Sequence, residues 1–303
     1  MVAFDKSHLI CNPHVRHDFM FLFDVQDGNP NGDPDAGNLP RVDQDTMQGL
    51  VTDVALKRKV RDYVTLTRGM DPLMQIYVKH RGILTNQQKL AYDALELTNT
   101  ETKDTKEVEN ARDWMCKHFF DVRMFGAVMS TKKYNSGQVR GAVQMTFARS
   151  FDPVTPQDIS ITRVALTNST DVRGGSEGDD EARSGQMGRK AYLPYGLYRS
   201  YGFVNSAFSA QTGVSEEDLA LLWESLIHMW TVDRSASRGF MACRGLYVFS
   251  HNSQFGSAQA QDLFELVRAE LKNPGNEPRH FHDYDVSVDS IVPSGVTLTR
   301  LVG

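Results

Sequence analysis

The stretch from His17 to Arg61 constrains the fold of this sequence more than any other segment. It begins with the apolar run from Phe19 to Val25, whose length and polar flanks predict a buried strand. The loop after this run is rich in Gly, Asn and Asp and contains three prolines, which marks a series of turns. From Thr46 the apolar residues follow a helical spacing. We therefore predict a strand, a long polar loop and a helix with a basic end.

The predicted helix, from Thr46 to Val64, carries apolar and basic side chains on the same face. Four apolar residues in its first half are spaced i, i+3, i+4 and i+7: Met47, Leu50, Val51 and Val54. The same face continues with three cations: Lys57, Arg58 and Arg61. The opposite face holds Leu56, Val60 and Tyr63. The cations either bind an anionic ligand or are solvated groups placed favourably at the negative end of the helix dipole, and the sequence leaves both interpretations open.

Composition excludes several classes of protein. With 303 residues, of which 40% are hydrophobic and 23% charged, the chain is long enough for one elaborated globular domain or two. A formal net charge of -5 argues against indiscriminate electrostatic binding to nucleic acid, but it is compatible with local basic patches. Cys11, Cys116 and Cys243 lack the spacing of a zinc site or a disulfide framework. Because the apolar runs near the N-terminus are too short for a signal peptide or a membrane span, we expect a cytoplasmic protein. The sequence also has no phosphate-loop or dinucleotide fingerprint, so we expect no metal or cofactor.

The middle of the sequence alternates between strand and helix patterns. A short strand is predicted at Met74 to Lys79, and two polar helical segments follow at Thr85 to Leu97 and Lys106 to Phe120. Alternating apolar residues predict two further strands, Val139 to Phe147 and Ile159 to Leu166.

Periodicity then disappears from Thr167 to Lys190, a glycine-rich excursion that is too long to be a simple connection. Regular patterns return after it. The predicted elements are a strand at Ala191 to Val204, a helix from Ser215, a strand at Leu246 to Phe249, a helix at Ala258 to Leu271 and a strand within Tyr284 to Val292. This order predicts an α+β fold in which helices cover one face of a sheet.

Several short motifs match those of known functional sites, but the surrounding sequence does not support these assignments. The spacing G-x-S-x-G occurs in the glycine-rich excursion and not at a strand-to-helix turn, so it does not indicate a hydrolase. The segment from Asp27 fits the first half of a calcium-binding loop, but its twelfth position is Asn38 where a bidentate Glu is needed. Asp33 and Asp35 leave one enzymatic interpretation open, metal-dependent cleavage of RNA.

Basic residues lie at the ends and in the loops of many predicted elements, some of them beside aromatic residues or methionine. This mixture suits a single-stranded nucleic acid, because cations bind phosphates and flat or apolar side chains contact bases. The candidates are Lys57, Arg58, Arg61, Lys132, Lys133, Arg140, Arg189, Lys190, Arg199, Arg234 and Arg238.

Six motifs together resemble those of a RAMP-superfamily protein, the backbone subunit of the type I-C CRISPR surveillance complex (Cascade). The motifs are NPNGDP from Asn29, GLVTDVALKRKVRDYV from Gly49, DVRMFGAVM from Asp121, MGRKAYLPYGLYRSYGFVN from Met187, DRSASRG from Asp233 and LYVFSH from Leu246. The resemblance covers nearly the whole chain, and its motifs are specific jointly rather than singly.

This resemblance implies one hand-shaped domain over residues 1–303. The domain would have a modified RRM-like (ferredoxin-like) α+β core, a helical insertion at about 82–120 and a thumb-like insertion at about 150–191. The protein would be non-catalytic and would polymerise along the spacer of a CRISPR RNA, presenting guide bases for pairing with target DNA. Its expected partners are the CRISPR RNA, further copies of itself, the target DNA, and the guide-processing, large and small subunits of the complex, with no membrane involved.

The resemblance also implies where the RNA is bound. The expected RNA-binding residues are Asn29, Asn31, Lys57, Arg58, Arg61, Lys132, Lys133, Arg140, Met187, Arg189, Lys190, Arg234 and Arg238. Met187 is the candidate wedge between guide bases. The alternative function is a RAMP-type endoribonuclease that uses Asp33 and a metal ion, and a third, weaker one is a scaffold that binds only proteins.

Overall fold

The computed structural model describes residues 8–162 and 187–303. The strands are β1 (His17–Gly28), β2 (Gly32–Asp33), β3 (Leu39–Pro40), β4 (Gln48–Val51), β5 (Gly126–Val128), β6 (Gln138–Arg140), β7 (Val143–Met145), β8 (Ala148–Pro153), β9 (Gln157–Thr162), β10 (Met187–Val204), β11 (Phe240–His251), β12 (Val267–Leu271), β13 (Tyr284–Val288) and β14 (Val296–Val302). The helices are α1 (Asp53–Arg68), α2 (Leu84–Ala94), α3 (Thr105–His118), α4 (Phe120–Phe125), α5 (Ser206–Thr212), α6 (Glu216–Val232) and α7 (Ala260–Phe264).

A large antiparallel sheet organises the chain, in the spatial order β14-β11-β1-β10-β8-β4, with β7 and β9 also paired to β10. Within it, the sequence of elements β1-α1-β8-β10-α6-β11 and the strand order β11-β1-β10-β8 are those of the ferredoxin-like βαββαβ unit. Both partners of the central strand β1 run antiparallel to it. The predicted α+β, RRM-like core is therefore confirmed.

The main core lies between this sheet and the two long helices, α1 and α6. Alternate residues of β1 point to the helices, and two of them meet tryptophans: Phe19 contacts Trp223 edge to face at 5.2 Å, and Phe23 lies 5.4 Å from Trp230. The two helices are also joined directly, since the Tyr63 hydroxyl donates a hydrogen bond to Glu224 at 2.8 Å. This packing explains why the first apolar run is rich in phenylalanine.

The opposite face of the sheet is also covered, although by different elements. Met20 and Leu22 of β1 point to this face and pack with Leu263 and Phe264 of α7. The two-stranded sheet β12–β13 extends the cover, with Tyr284 packed against Tyr195 and Leu197 of β10. The prediction of helices on one face describes α1 and α6 correctly, but it misses this second cover.

A smaller helical unit contains α2, α3 and α4 together with β5 and β6. It has its own apolar cluster, which includes Tyr77, Tyr92, Met115 and Phe119. The observed helices α2 and α3 match the two helical segments predicted there. None of the helices within 8–162 and 187–303 is long and apolar enough to cross a membrane.

Several local predictions are wrong. The helix predicted from Thr46 starts only at Asp53, after strand β4, with Thr52 as its N-cap. The predicted strand Met74 to Lys79 contains a single bridge, at Gln75. The predicted helix Ala258 to Leu271 divides into the short α7 and strand β12, and β14 was not predicted.

Of the predicted thumb-like excursion, residues 163–186 lie outside the described part of the chain. On either side of them, β9 and the start of β10 pair as an antiparallel ribbon, from Gln157 opposite Tyr192 to Thr162 opposite Met187.

Candidate nucleic-acid interface

Two loops meet at the end of the molecule where β1 finishes. The backbone N–H of Asn29 donates to the carbonyl of Ser237 at 2.8 Å, which ties the loop after β1 to the loop between α6 and β11. A side chain at Gly28 would overlap the carbonyl oxygen of Arg238, so the backbones approach as closely as glycine allows. The NPNGDP and DRSASRG motifs therefore form one structural unit.

The two predicted RNA-binding asparagines have structural contacts within this unit. The Asn29 side-chain amide donates to the carbonyl of Asn38 at 2.7 Å. The Asn31 side-chain oxygen accepts from the backbone N–H of Thr52 at 2.9 Å and from its hydroxyl at 3.0 Å. Since Thr52 caps α1, Asn31 positions the first turn of the helix that carries the basic cluster.

Helix α1 does not present its cations as the sequence predicts. Its buried face consists of Leu56, Lys59, Val60, Tyr63 and Val64, whereas Val54 of the predicted apolar face is 67% exposed. The predicted continuity between a buried apolar face and a cationic stripe is therefore wrong. The error follows from the strand β4, whose residues Leu50 and Val51 do not belong to the helix.

Two of the three predicted α1 cations are engaged inside the protein. Arg61 forms an ion pair with the buried Asp121 at 2.7 Å, and Asp121 also accepts backbone N–H groups from Tyr77 and Val78. Lys57 pairs with Asp53 at 2.9 Å, and both cations lie over the Phe125 ring. These contacts join α1 to the helical unit.

Arg58 differs from its neighbours because its side chain is 56% exposed. Its guanidinium contacts the exposed ring of His80 at 3.2 Å and lies 3.9 Å from Asp62. Both contacts are at the surface, where screened ion pairs contribute little, so Arg58 is the α1 cation best placed to meet a phosphate.

The loop after α6 contains one paired arginine and one exposed arginine. Asp233 contacts Lys59 of α1 at 2.6 Å and Arg238 at 3.2 Å, and Arg238 also reaches the carbonyl of Asn29 at 3.4 Å. Burial lowers the pKa of Lys59, and its hydrogen bond with Asp233 opposes that shift. Arg234 is exposed and lies over the ring of Phe240 at 5.0 Å.

The other predicted cations lie elsewhere on the surface. Lys132 and Lys133 are exposed in a loop of the helical unit, and Arg140 lies over the Phe208 ring at 4.4 Å. At the start of β10, Arg189 is 82% exposed and pairs with Asp158 at 3.6 Å, while Lys190 lies over Tyr192. Within the described ranges these residues share no contact with the two-loop unit. For Met187 only the backbone is described, so the predicted wedge side chain lies outside the described part of the structure.

A family model described as "CRISPR-associated protein Cas7" matches residues 15–289, which is most of the chain. The chain belongs to the Cas7 family. A curated relative, the CRISPR-associated protein Cas7 of Haloferax volcanii, is 28% identical over 238 residues, which cover 71% of this chain and 65% of that protein. The chain thus matches somewhat less than two thirds of the relative's length.

The solved structures agree with the family at the level of the fold. A chain from a structure described as "CRISPR RNA-guided surveillance complex, pre-nicking" superposes with a TM-score of 0.51 at 15% identity and covers 78% of both chains. At this identity the likeness concerns the fold alone. It agrees with the ferredoxin-like core described above.

In this Cas7-family chain, the sequence left open a metal site at the acidic loop that contains Asp33 and Asp35. Asp33 pairs with Arg41 at 3.4 Å and caps a short turn by accepting the backbone N–H of Asp35. Residues 8–162 and 187–303 contain no group of three His, Cys, Asp or Glu side chains arranged to hold a metal ion. The described neighbours of Asp33 therefore give it a structural role.

Sequence reasoning missed the buried members of the interface. Lys59 is 5% exposed and connects α1 to Asp233, yet in the sequence it is one basic residue among four. Asp121 was likewise noted only as the start of a motif. The one available signal was the i, i+4 relation of Lys59 to Tyr63, which places it on the buried face of the helix.

Proposed function

We propose that this Cas7-family chain is a non-catalytic subunit that binds a CRISPR RNA and forms the backbone of a type I surveillance complex. Two likenesses support this assignment: the relative from Haloferax volcanii is a CRISPR-associated protein, and the superposed chain comes from an RNA-guided surveillance complex. The type I-C subtype rests on the six sequence motifs. Polymerisation along the guide, presentation of its bases to target DNA, and contacts with the guide-processing, large and small subunits belong to the same proposal.

One observation supports RNA binding from the chain itself. The described cations that matter here fall into two classes. Those of the first class form ion pairs inside the protein, and those of the second are exposed and have no buried carboxylate as a partner. Arg61 and Lys59 represent the first class, and Arg58, Lys132 and Arg234 the second. Exposed cations on a rigid scaffold bind a phosphate backbone independently of sequence, which is what a guide of variable spacer needs.

The salt dependence of guide binding tests this proposal. The triple variant Arg58→Glu, Lys132→Glu, Lys133→Glu should weaken binding of a single-stranded guide and flatten the slope of log K against log salt by about 2, since each single-strand phosphate contact contributes roughly 0.7. The control Lys103→Glu, Lys106→Glu, Arg279→Glu changes the net charge equally at other exposed positions. Equal slopes in both variants would contradict a role for the first set.

The same preparations test the alternative of an RNA-cleaving enzyme. We expect bound guide and complementary RNA to stay intact when magnesium is added. Cleavage that disappears in Asp33→Ala would overturn the non-catalytic assignment. If the purified protein carries no nucleic acid from cells that contain a CRISPR array and binds none in vitro, the protein-only scaffold is correct instead.

A further inference from the structure

One candidate cation from the sequence, Arg199, has no place in the interface described above. It lies on β10, on the sheet face opposite α1 and α6. Its guanidinium lies 4.9 Å from the ring centre of Phe151 on β8 and 5.1 Å from that of Tyr201 on β10. The cation is thus held between two aromatic rings.

The N–H donors of the Arg199 side chain are available to a ligand. Within the described part of the chain, no carboxylate forms an ion pair with it, and it makes no side-chain hydrogen bond. Arg149 lies directly opposite on β8, in register with Arg199, and is neutralised by Asp43 at 2.6 Å. The donors of Arg199 are therefore free to bind a ligand, whereas Arg149 is already paired with Asp43.

A cavity of about 500 Å³ opens beside this arginine. The cavity is bounded by Phe151, Arg199 and Tyr201 on the sheet. Its other side is formed by the segment from α7 to β12, including Glu265 just after α7 and Glu270 in β12. Tyr201 is fixed because its ring stacks on Phe264 at 4.3 Å. The cavity is therefore a formed site with flat apolar walls and a few polar groups.

The walls indicate the chemistry of the ligand. The two glutamates and two arginines that line the cavity give it no net charge, so it is not suited to a chain of phosphates. The site offers a forked donor, two carboxylate acceptors and aromatic surface. A guanine base matches this set, because its O6 and N7 accept from an arginine in bidentate fashion while its N1–H and exocyclic amine donate to a carboxylate. Unstacked bases of single strands are commonly held against aromatic rings in this way.

We propose that the cavity beside Arg199 is a second nucleic-acid site, which takes an unstacked guanine from a single strand that is not the bound guide. Arg199 would read the O6 and N7 edge, and Glu265 or Glu270 would accept the opposite edge. Phe151 would provide the flat wall, since the Tyr201 ring already stacks on Phe264. The proposal rests on the proposed function for the presence of a bound guide, but not on which cations hold that guide.

The test uses the full chain already saturated with guide RNA. The probes are a fluorescent oligothymidine that carries one deoxyguanosine and the same oligothymidine without it, neither complementary to the guide. We expect the guanine-containing probe to bind roughly tenfold more tightly, as a bidentate base contact predicts. In Arg199→Lys, which keeps the charge but loses the fork, this preference should disappear. The same substitution on the neighbouring strand, Arg149→Lys, should leave it unchanged.

A second variant, Phe151→Leu, keeps the site apolar but removes the aromatic ring. We expect it to weaken the binding of both probes. Guide affinity, measured separately, should be the same in all three variants. Equal binding of the two probes to the parent protein, or an unchanged preference in Arg199→Lys, would overturn the proposal. It would also be overturned if the probe displaced the guide, or if Arg199→Lys altered only the self-association of the protein.

Discussion

At the residue scale, burial decides which cations stabilise the fold and which remain available to a ligand. Arg61 and Arg58 are less than one helical turn apart on α1. The Arg61 side chain is 12% exposed beside Asp121, which is 1% exposed, whereas Arg58 is 56% exposed. Arg61 and Arg58 carry the same formal charge, but Arg61 stabilises the fold and Arg58 remains available to a ligand.

We expect Arg61→Ala to lower the free energy of unfolding by about 3 kcal/mol, because it leaves the carboxylate of Asp121 buried with only backbone donors. Arg58→Ala, on the same helix, should change it by less than about 0.5 kcal/mol. Urea denaturation monitored by circular dichroism measures both. Similar losses of unfolding free energy in the two variants would show that the Arg61–Asp121 pair contributes no more to stability than an exposed arginine does.

The composition of the candidate site could be predicted from the sequence, but the pairing within it could not. The motifs contain Lys59 and Arg61 as cations of α1. Their carboxylate partners lie in other elements: Asp233 after α6 and Asp121 in α4. A lysine or arginine cannot be classed as free or engaged until tertiary contacts bring such partners together.

At the scale of the elements, helices and strands were predicted correctly where one hydrophobic pattern extended over a long segment. β1, β10 and α6 are long, and the capping box of Ser215 and Asp218 marks the start of α6. The helix predicted from Thr46 failed because two residues of strand β4, Leu50 and Val51, matched a helical spacing with Met47 and Val54 by coincidence. The positive φ of Met47 was not foreseeable. Strand β12 was missed since its stability depends on pairing with β13.

A buried ion pair lies at the junction between the helical unit and α6. Arg123 of α4 reaches both carboxylate oxygens of Asp218, at 2.9 and 2.6 Å, and the two side chains are 5% and 1% exposed. Asp218 also accepts from the backbone and the hydroxyl of Ser215. The same carboxylate thus caps α6 and fixes α4 against it.

We expect Arg123→Met to destabilise the protein by about 3–5 kcal/mol, because an uncompensated carboxylate remains buried. The double variant Arg123→Met, Asp218→Asn should recover part of this loss, since it removes the isolated charge. A double-mutant cycle in urea gives the coupling energy. Strictly additive effects would argue against a coupled junction.

For the molecule as a whole, a buried histidine couples global stability to pH. His17 is fully buried at the start of β1, between the carbonyl of Asn12 and the hydroxyl of Ser250. Burial is the main cause that lowers its pKa from 6.5 to about 4, and the neighbouring His251 adds to the effect while Asp18 opposes it. The folded chain therefore keeps His17 neutral at pH values where the unfolded chain protonates it.

Stability should accordingly fall as the pH decreases from about 6.5 to about 4, and His17 should account for about 3 kcal/mol of that loss. Asp24, whose pKa is raised by burial, contributes with the opposite sign, so the parent protein must be compared with His17→Asn. We expect a smaller difference in unfolding free energy between pH 7 and pH 4.5 in the variant. Parallel pH profiles would exclude His17 as the cause.

The position of β1 in the sheet has a consequence for synthesis of the chain. This strand is translated well before its two neighbours, because Phe21 pairs with Ser200 on one side and with Leu246 on the other. At roughly 5–20 residues per second, its apolar side chains wait on the order of ten seconds or more for their partners. Long-range strand pairing of this kind slows folding, so we expect β1 to need protection from aggregation until its partners are made.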